Sequence, residues 1–368
     1  MLGITTDQRF MRRALRLASL SLGMTWPNPG VGCVVVRDGL VIGSGRHRVC
    51  GDLHAETAAL ADCRARGHDP AGATAYVTLA PCTRQGRQPP CVDALRVARV
   101  ARVVAAIADP LQDDAGAALA AAGIAYAVGV ESAAALHLHG GFLSRLATQM
   151  PRFTGKWAMT LDGSIATAAG DSRWISSPEA LALSRRRRRA FDAIVIGMGT
   201  ARRDDPSLAS TRPRRHGASD GPLRVVLGAR ADLDPGARLL TSAATQPVLA
   251  VCAEPPSAVI ARRLGAAGVD LAPLSDPHDV LAVGRELGRR GLNEVLVEGG
   301  AHLHAAFLRV GLYQRLEIYL GASTLGGGLP AAAGVGAALI ADGQRWENEE
   351  APRQLGTTTL LRLRRHVG

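Results

Sequence analysis

Short apolar runs rich in β-branched residues recur along this chain, and helix-length segments separate most of them. The first two, VGCVVV (31–36) and LVIGSG (40–45), are joined across Asp38-Gly39, which is the signature of a hairpin. AYVTL (75–79), RVVAAI (102–107) and IAYAVGV (124–130) follow as strands. Helices are expected over 7–23, 54–67, 92–99 and 131–149, with Phe10, Leu15, Leu17 and Leu20 as the apolar positions of the first. Such alternation predicts an α/β layered domain on one mostly parallel sheet. Met150-Pro151 interrupts the pattern, which then restarts. Strands are expected at 193–200, 223–228, 247–253, 293–300 and 315–322, and helices over 178–190, 257–267, 277–290 and 301–311. The polar stretch 211–222 reads as a loop, and no solenoid period is present. At 368 residues the chain is too long for one ordinary core, so two domains are expected, 1–149 and 150–368.

Composition excludes several classes. Hydrophobic residues make up 47% and charged residues 20%, so the chain is globular and not disordered. No stretch of 18 uninterrupted apolar residues suggests a membrane span. The first residues carry Asp7 and Arg12-Arg13 and lack a compact apolar core, which argues against a signal peptide and for a cytoplasmic protein. In that compartment the six cysteines fit metal binding or buried thiols better than disulfides. A net charge of +11 attracts anions, although an arginine-rich surface alone produces the same number.

Chemistry concentrates in one constellation. His54-Ala55-Glu56 opens a helix, Pro81-Cys82 follows the strand AYVTL, and Cys91 comes after eight intervening residues. Catalytic zinc takes three protein ligands and leaves a fourth position open, and one imidazole with two thiolates meets that need. Helix starts favour the thiolate form. Glu56, two residues past His54, is placed to move protons between the activated water, the ring and the leaving ammonia. The nucleobase-deaminase signature is His-x-Glu followed by Pro-Cys-x-x-Cys, so the first part matches and the cysteine spacing is longer. Taken singly, His54 reads as a helix cap and each cysteine as a buried thiol. Cys33, Cys50 and Cys63 fit packing, with Cys50 near enough in sequence to line the pocket.

PNPGVGCVVV (27–36), GSGRHRVCGDLHAE (43–56) and APCTRQGRQPPCVDAL (80–95) together resemble the bifunctional riboflavin-biosynthesis deaminase–reductases. GKWAMTLDGSIATAAGDSRWIS (155–176), AIVIGMGTARRDDPSL (193–208) and LVEGGAHL (296–303) continue the resemblance, in the family's order and over nearly the whole chain. The resemblance implies an N-terminal three-layer domain of the cytidine-deaminase fold and a C-terminal domain like dihydrofolate reductase. It implies zinc and NADPH as cofactors, a phosphorylated pyrimidine as substrate, and a dimer or tetramer. Carried over by position, His54, Cys82 and Cys91 would hold zinc, Glu56 would shuttle protons, and Asn28 and His47 would line the pyrimidine pocket. Ala158, Trp174, Thr200, Asp204, Gly299 and Gly300 match cofactor positions. Lys156, Asp162, Ser172, Arg188, Leu208, Arg212 and Glu298 match substrate positions. A phosphate at the Gly299-Gly300 helix start is sound on general grounds.

Each of these has a plainer reading. The run Arg185 to Arg189 reads as a solvated helix face, with one or two members turned inward. Trp174 fits a core, and Asp204-Asp205-Pro206 fits a turn. The chain also departs from the family's usual pattern at Ala80, Thr83-Arg84-Gln85, Gln88, Gly228 and Tyr313-Gln314-Arg315. A paralogue in a related pyrimidine-derived secondary-metabolite pathway is therefore an alternative. A polynucleotide deaminase is a second, weakened by the lack of interleaved basic and aromatic residues. A binding protein with a degenerate reductase half is a third.

Overall fold

The computed structural model describes residues 5–112, 114–210, 221–253 and 257–366. The chain divides into two compact units, Met1–Leu143 and Ser144–Gly368. The division falls inside a helix, ahead of Met150-Pro151.

The first unit runs α1 (Thr6–Ser19), β1 (Gly32–Arg37), β2 (Leu40–Arg46), α2 (Ala55–Ala65), β3 (Thr74–Val77), α3 (Cys91–Val97), β4 (Arg102–Ala105), α4 (Ala115–Ala121), β5 (Ala125–Val128) and α5 (Ser132–Thr148). Its five-stranded sheet has the order β2-β1-β3-β4-β5. The β1–β2 hairpin is present, and β3 also pairs antiparallel with β1; only β3–β4 and β4–β5 are parallel. The sheet is thus mixed, where alternation alone predicted a mostly parallel one. Strand side chains alternate between two helical layers. Cys33, Val35, Ala75, Val77, Val103 and Ala105 pack with residues of α2, α3 and α4. On the other face Tyr76 meets Phe10 of α1 at 5.4 Å between ring centroids, and Thr78 hydrogen bonds to His139 of α5.

Helix α1 buries Phe10, Met11, Ala14 and Ala18, while Leu20 is exposed. The face differs from the expected leucine stripe because α1 lies directly on β1. A Cβ at Gly32 would come within 2.2 Å of the Ala14 carbonyl oxygen. Backbones that close need small residues on both sides, so alanines, not leucines, occupy the contact.

The second unit runs β6 (Arg152–Met159), β7 (Ser164–Ala166), α6 (Pro178–Arg187), β8 (Ala193–Gly197), α7 (Met198–Asp204), β9 (Leu223–Leu227), α8 (Arg238–Thr241), β10 (Val248–Ala253), α9 (Ala258–Ala266), β11 (Val269–Leu274), α10 (Val280–Arg289), β12 (Glu294–Val297), α11 (Ala301–Arg309), β13 (Tyr313–Gly321), β14 (Leu329–Pro330), β15 (Trp346–Asn348), β16 (Arg353–Leu355) and β17 (Thr358–Arg365). The main sheet has the order β11-β10-β9-β8-β12-β6-β13-β17-β15, with β16 also on β17; β7 and β14 form a separate pair. Strands from β11 to β13 are parallel to their neighbours, and β15, β16 and β17 pair antiparallel. The chain builds outward from β8 to β11 and then returns to insert β12 between β8 and β6. A crevice opens beyond the carboxyl ends of strands where the winding reverses in this way.

Two local expectations differ here. The run 193–200 leaves the strand at Gly197 and continues as α7, because Met198 and Ala201 stay buried as the first apolar residues of a helix. The antiparallel strands after 322 carry no clear apolar alternation. On β17 the outer residues Arg362 and Arg364 are instead paired with Glu350 and Glu347.

Candidate active sites

The histidine and one of the two thiols sit where a helix begins. His54 is the N-cap of α2, Glu56 lies in its first turn, and Cys91 is the first residue of α3. Cys82 follows β3 on the connecting loop. His54 Nδ1 lies 3.3 Å from Cys91 Sγ and 3.6 Å from Cys82 Sγ, and all three ligand atoms lie within 4.8 Å of one another. The Cys91 backbone N–H donates to Cys82 Sγ at 3.2 Å. Hydrogen bonds from Cys91 and His54 draw the Cys82 thiol down to about 4, while the Cys91 thiol, donating to that thiolate and buried, is pushed up. One imidazole and two thiolates at this spacing fit a catalytic zinc ion. Glu56 is 4% exposed, and burial raises its carboxyl to about 7. It can therefore hold or release a proton near neutrality.

The expected pyrimidine-pocket pair stands beside the metal ligands. The His47 ring meets the His54 ring edge-on at 5.6 Å between centroids. His47 Nδ1 donates to the Leu53 carbonyl at 3.0 Å, which leaves Nε2 to accept from Asn28 Nδ2 at 3.2 Å. Burial lowers the His47 pKa, in keeping with that neutral tautomer. Among the residues that depart from the family pattern, Ala80 is buried, and Thr83 is tied by its N–H and hydroxyl to Gln112 Oε1 at 3.0 and 3.3 Å. Sequence reasoning missed Gln112, since nothing in its own surroundings links it to Cys82. Cys33 and Cys63 are core residues, while Cys50 is half-buried and accepts from Arg87 Nη1 at 3.5 Å.

In the second unit, the turn after β12 carries Glu298, Gly299 and Gly300 into α11, and the end of β8 carries Gly197 into α7. A Cβ on Gly299 would lie 2.9 Å from the Gly197 nitrogen and 3.0 Å from Ile196 Cα, so only glycine lets the two turns meet. The Gly300 N–H donates to Thr200 Oγ1 at 3.2 Å. Two turns of bare backbone leading into helices form a cradle suited to a cofactor phosphate. At Gly228 a Cβ would meet Met198 Cβ at 2.6 Å, so a larger residue there would have to displace Met198.

Beside this cradle lies a group of buried charges. Arg188 Nε and Nη2 donate to the two oxygens of Glu298 at 2.8 Å each. Burial alone would raise Glu298, but the Arg188 charge and hydrogen bonds prevail and hold it at about 2. Lys156 of β6 is lowered by burial and feels the charges of Glu298 and Glu317. Its ammonium lies 5.5 Å from the Tyr319 ring centroid. Of the five-arginine run, Arg187 and Arg188 turn inward to Glu317 and Glu298, and Arg185, Arg186 and Arg189 are exposed. Glu317 was not anticipated, because its partner lies 130 positions away in the chain.

The remaining candidates are spread more widely. Ala158 is half-buried on β6; Ser172, Trp174 and Asp204 are exposed, and Trp174, at 67%, is not part of a core. Leu208 is buried with a φ of +50°. The adjoining Ser207 carbonyl accepts from Arg224 Nη1 at 3.1 Å. Arg224 is fully buried on β9, and its position in an otherwise apolar strand is the signal that could have marked it. The Asp162 carboxylate accepts from Thr160 Oγ1 at 2.5 Å, Gly326 N at 2.8 Å and Leu325 N at 3.1 Å, which ties the glycine-rich segment after β13 to the turn before β7. The altered residues at the start of β13 are held inside the unit: Tyr313 with His304, Gln314 with the Phe153 N–H, and Arg315 with Glu349. Arg212 and most of the loop 211–222 lie outside the described residues.

Fold and sites together define a class, a zinc deaminase fused to a nucleotide-dependent reductase. Residues 4–107 match the cytidine and deoxycytidylate deaminase zinc-binding region, and residues 151–347 match the RibD C-terminal domain. The chain is 38% identical over 347 residues to the riboflavin biosynthesis protein RibD of Mycobacterium tuberculosis, covering 93% of this chain and 92% of that one. It is 37% identical over 341 residues to RibD of Escherichia coli, covering 87% and 89%. The structure superimposes on RibD of Acinetobacter baumannii with a TM-score of 0.86 at 32% identity, covering 99% of this chain and 100% of that one. The chain belongs to the RibD family of bifunctional deaminase–reductases of riboflavin biosynthesis, which use Zn2+ and NADPH. None of these relatives supports the related-pathway alternative. No helix among the described residues is long and apolar enough to cross a membrane.

Proposed function

We propose that residues 1–149 hydrolyse an amine from a diaminohydroxyphosphoribosylaminopyrimidine and residues 150–368 reduce the ribosyl group of the product to a ribityl chain. A Thermotoga maritima diaminohydroxyphosphoribosylaminopyrimidine deaminase/5-amino-6-(5-phosphoribosylamino)uracil reductase, to which this chain is 28% identical with a TM-score of 0.85, combines the same two activities. The observation that carries the reading is the meeting of His54, Cys82 and Cys91 beside the buried carboxyl of Glu56.

In the first reaction His54, Cys82 and Cys91 hold the metal. Zinc supplies a Lewis acid that brings the pKa of water towards neutrality. Glu56 takes one proton from the attacking water and gives it to the ring nitrogen, then takes the remaining proton of the added hydroxyl and gives it to the amine, which leaves as ammonia. Asn28 and His47 line the pyrimidine pocket, their mutual hydrogen bond fixing which groups face the ring. In the second reaction NADPH supplies hydride. Gly299, Gly300 and Thr200 cradle its phosphates, and Ala158, Trp174 and Asp204 border it. Lys156, Arg188 and Glu298 form the polar wall towards the substrate, joined by Ser172, Leu208 and Arg212, with Asp162 bracing the segment after β13. The reading extends to a cytoplasmic homo-oligomer, a dimer or tetramer, without a nucleic-acid partner.

Metal analysis with Glu56→Gln tests the first half. The expected result is about one zinc per chain in both proteins, by the single three-ligand set, and deamination lowered by roughly 10²–10⁴-fold in the variant. A variant that still deaminates at the parent rate overturns the role of Glu56.

A further inference from the structure

Outside both sites, the first unit has a cavity lined by arginines that reach no carboxylate among the described residues. Helix α1 presents Arg9, Arg13 and Arg16 along one exposed stripe. Arg12, Arg66, Arg99 and Arg102 of the same unit each reach a carboxylate. Among the described residues Arg9, Arg13 and Arg16 reach none. Like charges three and four positions apart on a helix repel one another. The three side chains line a cavity of about 470 Å³, with His68 and the β2 residues Leu40 and Ile42 among the other walls. β2 is the terminal strand of its sheet, and Leu40 is 69% exposed.

We propose that this cavity binds a compact organic phosphate, its phosphates against Arg9, Arg13 and Arg16 and its ring against the exposed Leu40. Guanidinium groups match phosphate oxygens in pairs, and three of them in one cavity exceed what a single carboxylate ligand needs. The volume falls in the range of small-molecule sites. A single-stranded nucleic acid would require aromatic platforms along a basic track. The one aromatic residue of the lining, Phe10, is 3% exposed and has the Arg9 guanidinium 5.0 Å from its ring centroid.

The test uses the zinc-loaded full chain saturated with NADPH, so that the reductase crevice is filled. Calorimetric titration with ADP, inorganic pyrophosphate, adenosine and a single-stranded RNA oligonucleotide is compared between the parent, an Arg13→Glu/Arg16→Glu double variant and an Arg13→Lys/Arg16→Lys double variant. The parent is expected to bind ADP more tightly than pyrophosphate and at least about tenfold more tightly than adenosine, with affinity falling as salt rises. The glutamate variant is expected to lose at least about tenfold, and the lysine variant to keep most of the affinity. Deamination rate and thermal midpoint should match the parent in both variants, which shows that α1 remains docked. ADP binding unchanged by the glutamate pair overturns the site. Adenosine binding as tightly as ADP, or ADP no tighter than pyrophosphate, overturns the ligand class. A single-stranded RNA oligonucleotide binding more tightly than ADP, with that binding lost in the glutamate variant, overturns it in favour of nucleic acid.

Discussion

The two sites are assembled in opposite ways. The candidate zinc centre takes its three donors from residues 54–91, each placed by the start of a helix or the loop behind a strand. The candidate reductase site takes Lys156, Arg188, Glu298 and Glu317 from elements spread along much of the second unit, where Arg188 pairs with Glu298 and Arg187 with Glu317. A local site can lose its metal and keep its frame, whereas a site made of paired buried charges is part of what holds its frame together.

Mutations that separate the two designs follow, from the largest expected effect down. Cys91→Ser should abolish zinc retention and deamination, while reduction of a substrate supplied already deaminated continues; zinc content and the two rates measured on one preparation check this. A parallel loss of both rates would show that the units are not independent in this respect. Glu298→Gln should leave Arg188 buried without its carboxylate and cost the second unit about 3–5 kcal/mol, read by urea unfolding, with zinc content unchanged.

The same residue sets a pH dependence. Its carboxyl is held at about 2 against an ordinary 4.5, so its contribution is complete above 4.5 and is lost as pH falls from there towards 2. The unfolding midpoint of the second unit should drop across that window in the parent and less steeply in the Gln variant. Gly299→Ala must push apart the β8 and β12 turns, because the new Cβ meets backbone at 2.9 Å. The KM for NADPH should rise about tenfold with deamination unaffected. Asp162→Ala should lower reductase kcat/KM only severalfold, roughly, since it frees one segment without touching the paired charges. Faster proteolysis between 322 and 328 would accompany it.

The difference in assembly also explains what could be read in advance. His54, Glu56, Cys82 and Cys91 announce themselves because a catalytic metal demands particular residue types at element starts. Asn28 and His47 were reachable through resemblance, and a hydrogen bond joins their side chains in the structure. The Arg185 to Arg189 run could be narrowed to one or two inward residues, but which ones depends on Glu298 and Glu317, more than a hundred positions away. Most strands and helices of the two units were legible from apolar period. The antiparallel placement of β3 and the antiparallel strands after β13 were not, since the first is a matter of pairing and the second of ion pairs along a polar strand.

By itself the sequence determined the α/β class of both halves and the zinc chemistry. These depend on apolar period and residue type, which are local properties. Only the tertiary structure decided that α1 rests on alanines because Gly32 lies beneath it, that Gly299 joins two turns, and that three arginines of α1 surround a cavity without a counter-charge. Those outcomes depend on which backbones approach within contact distance, and that is set by the packing of whole layers, not by any segment alone.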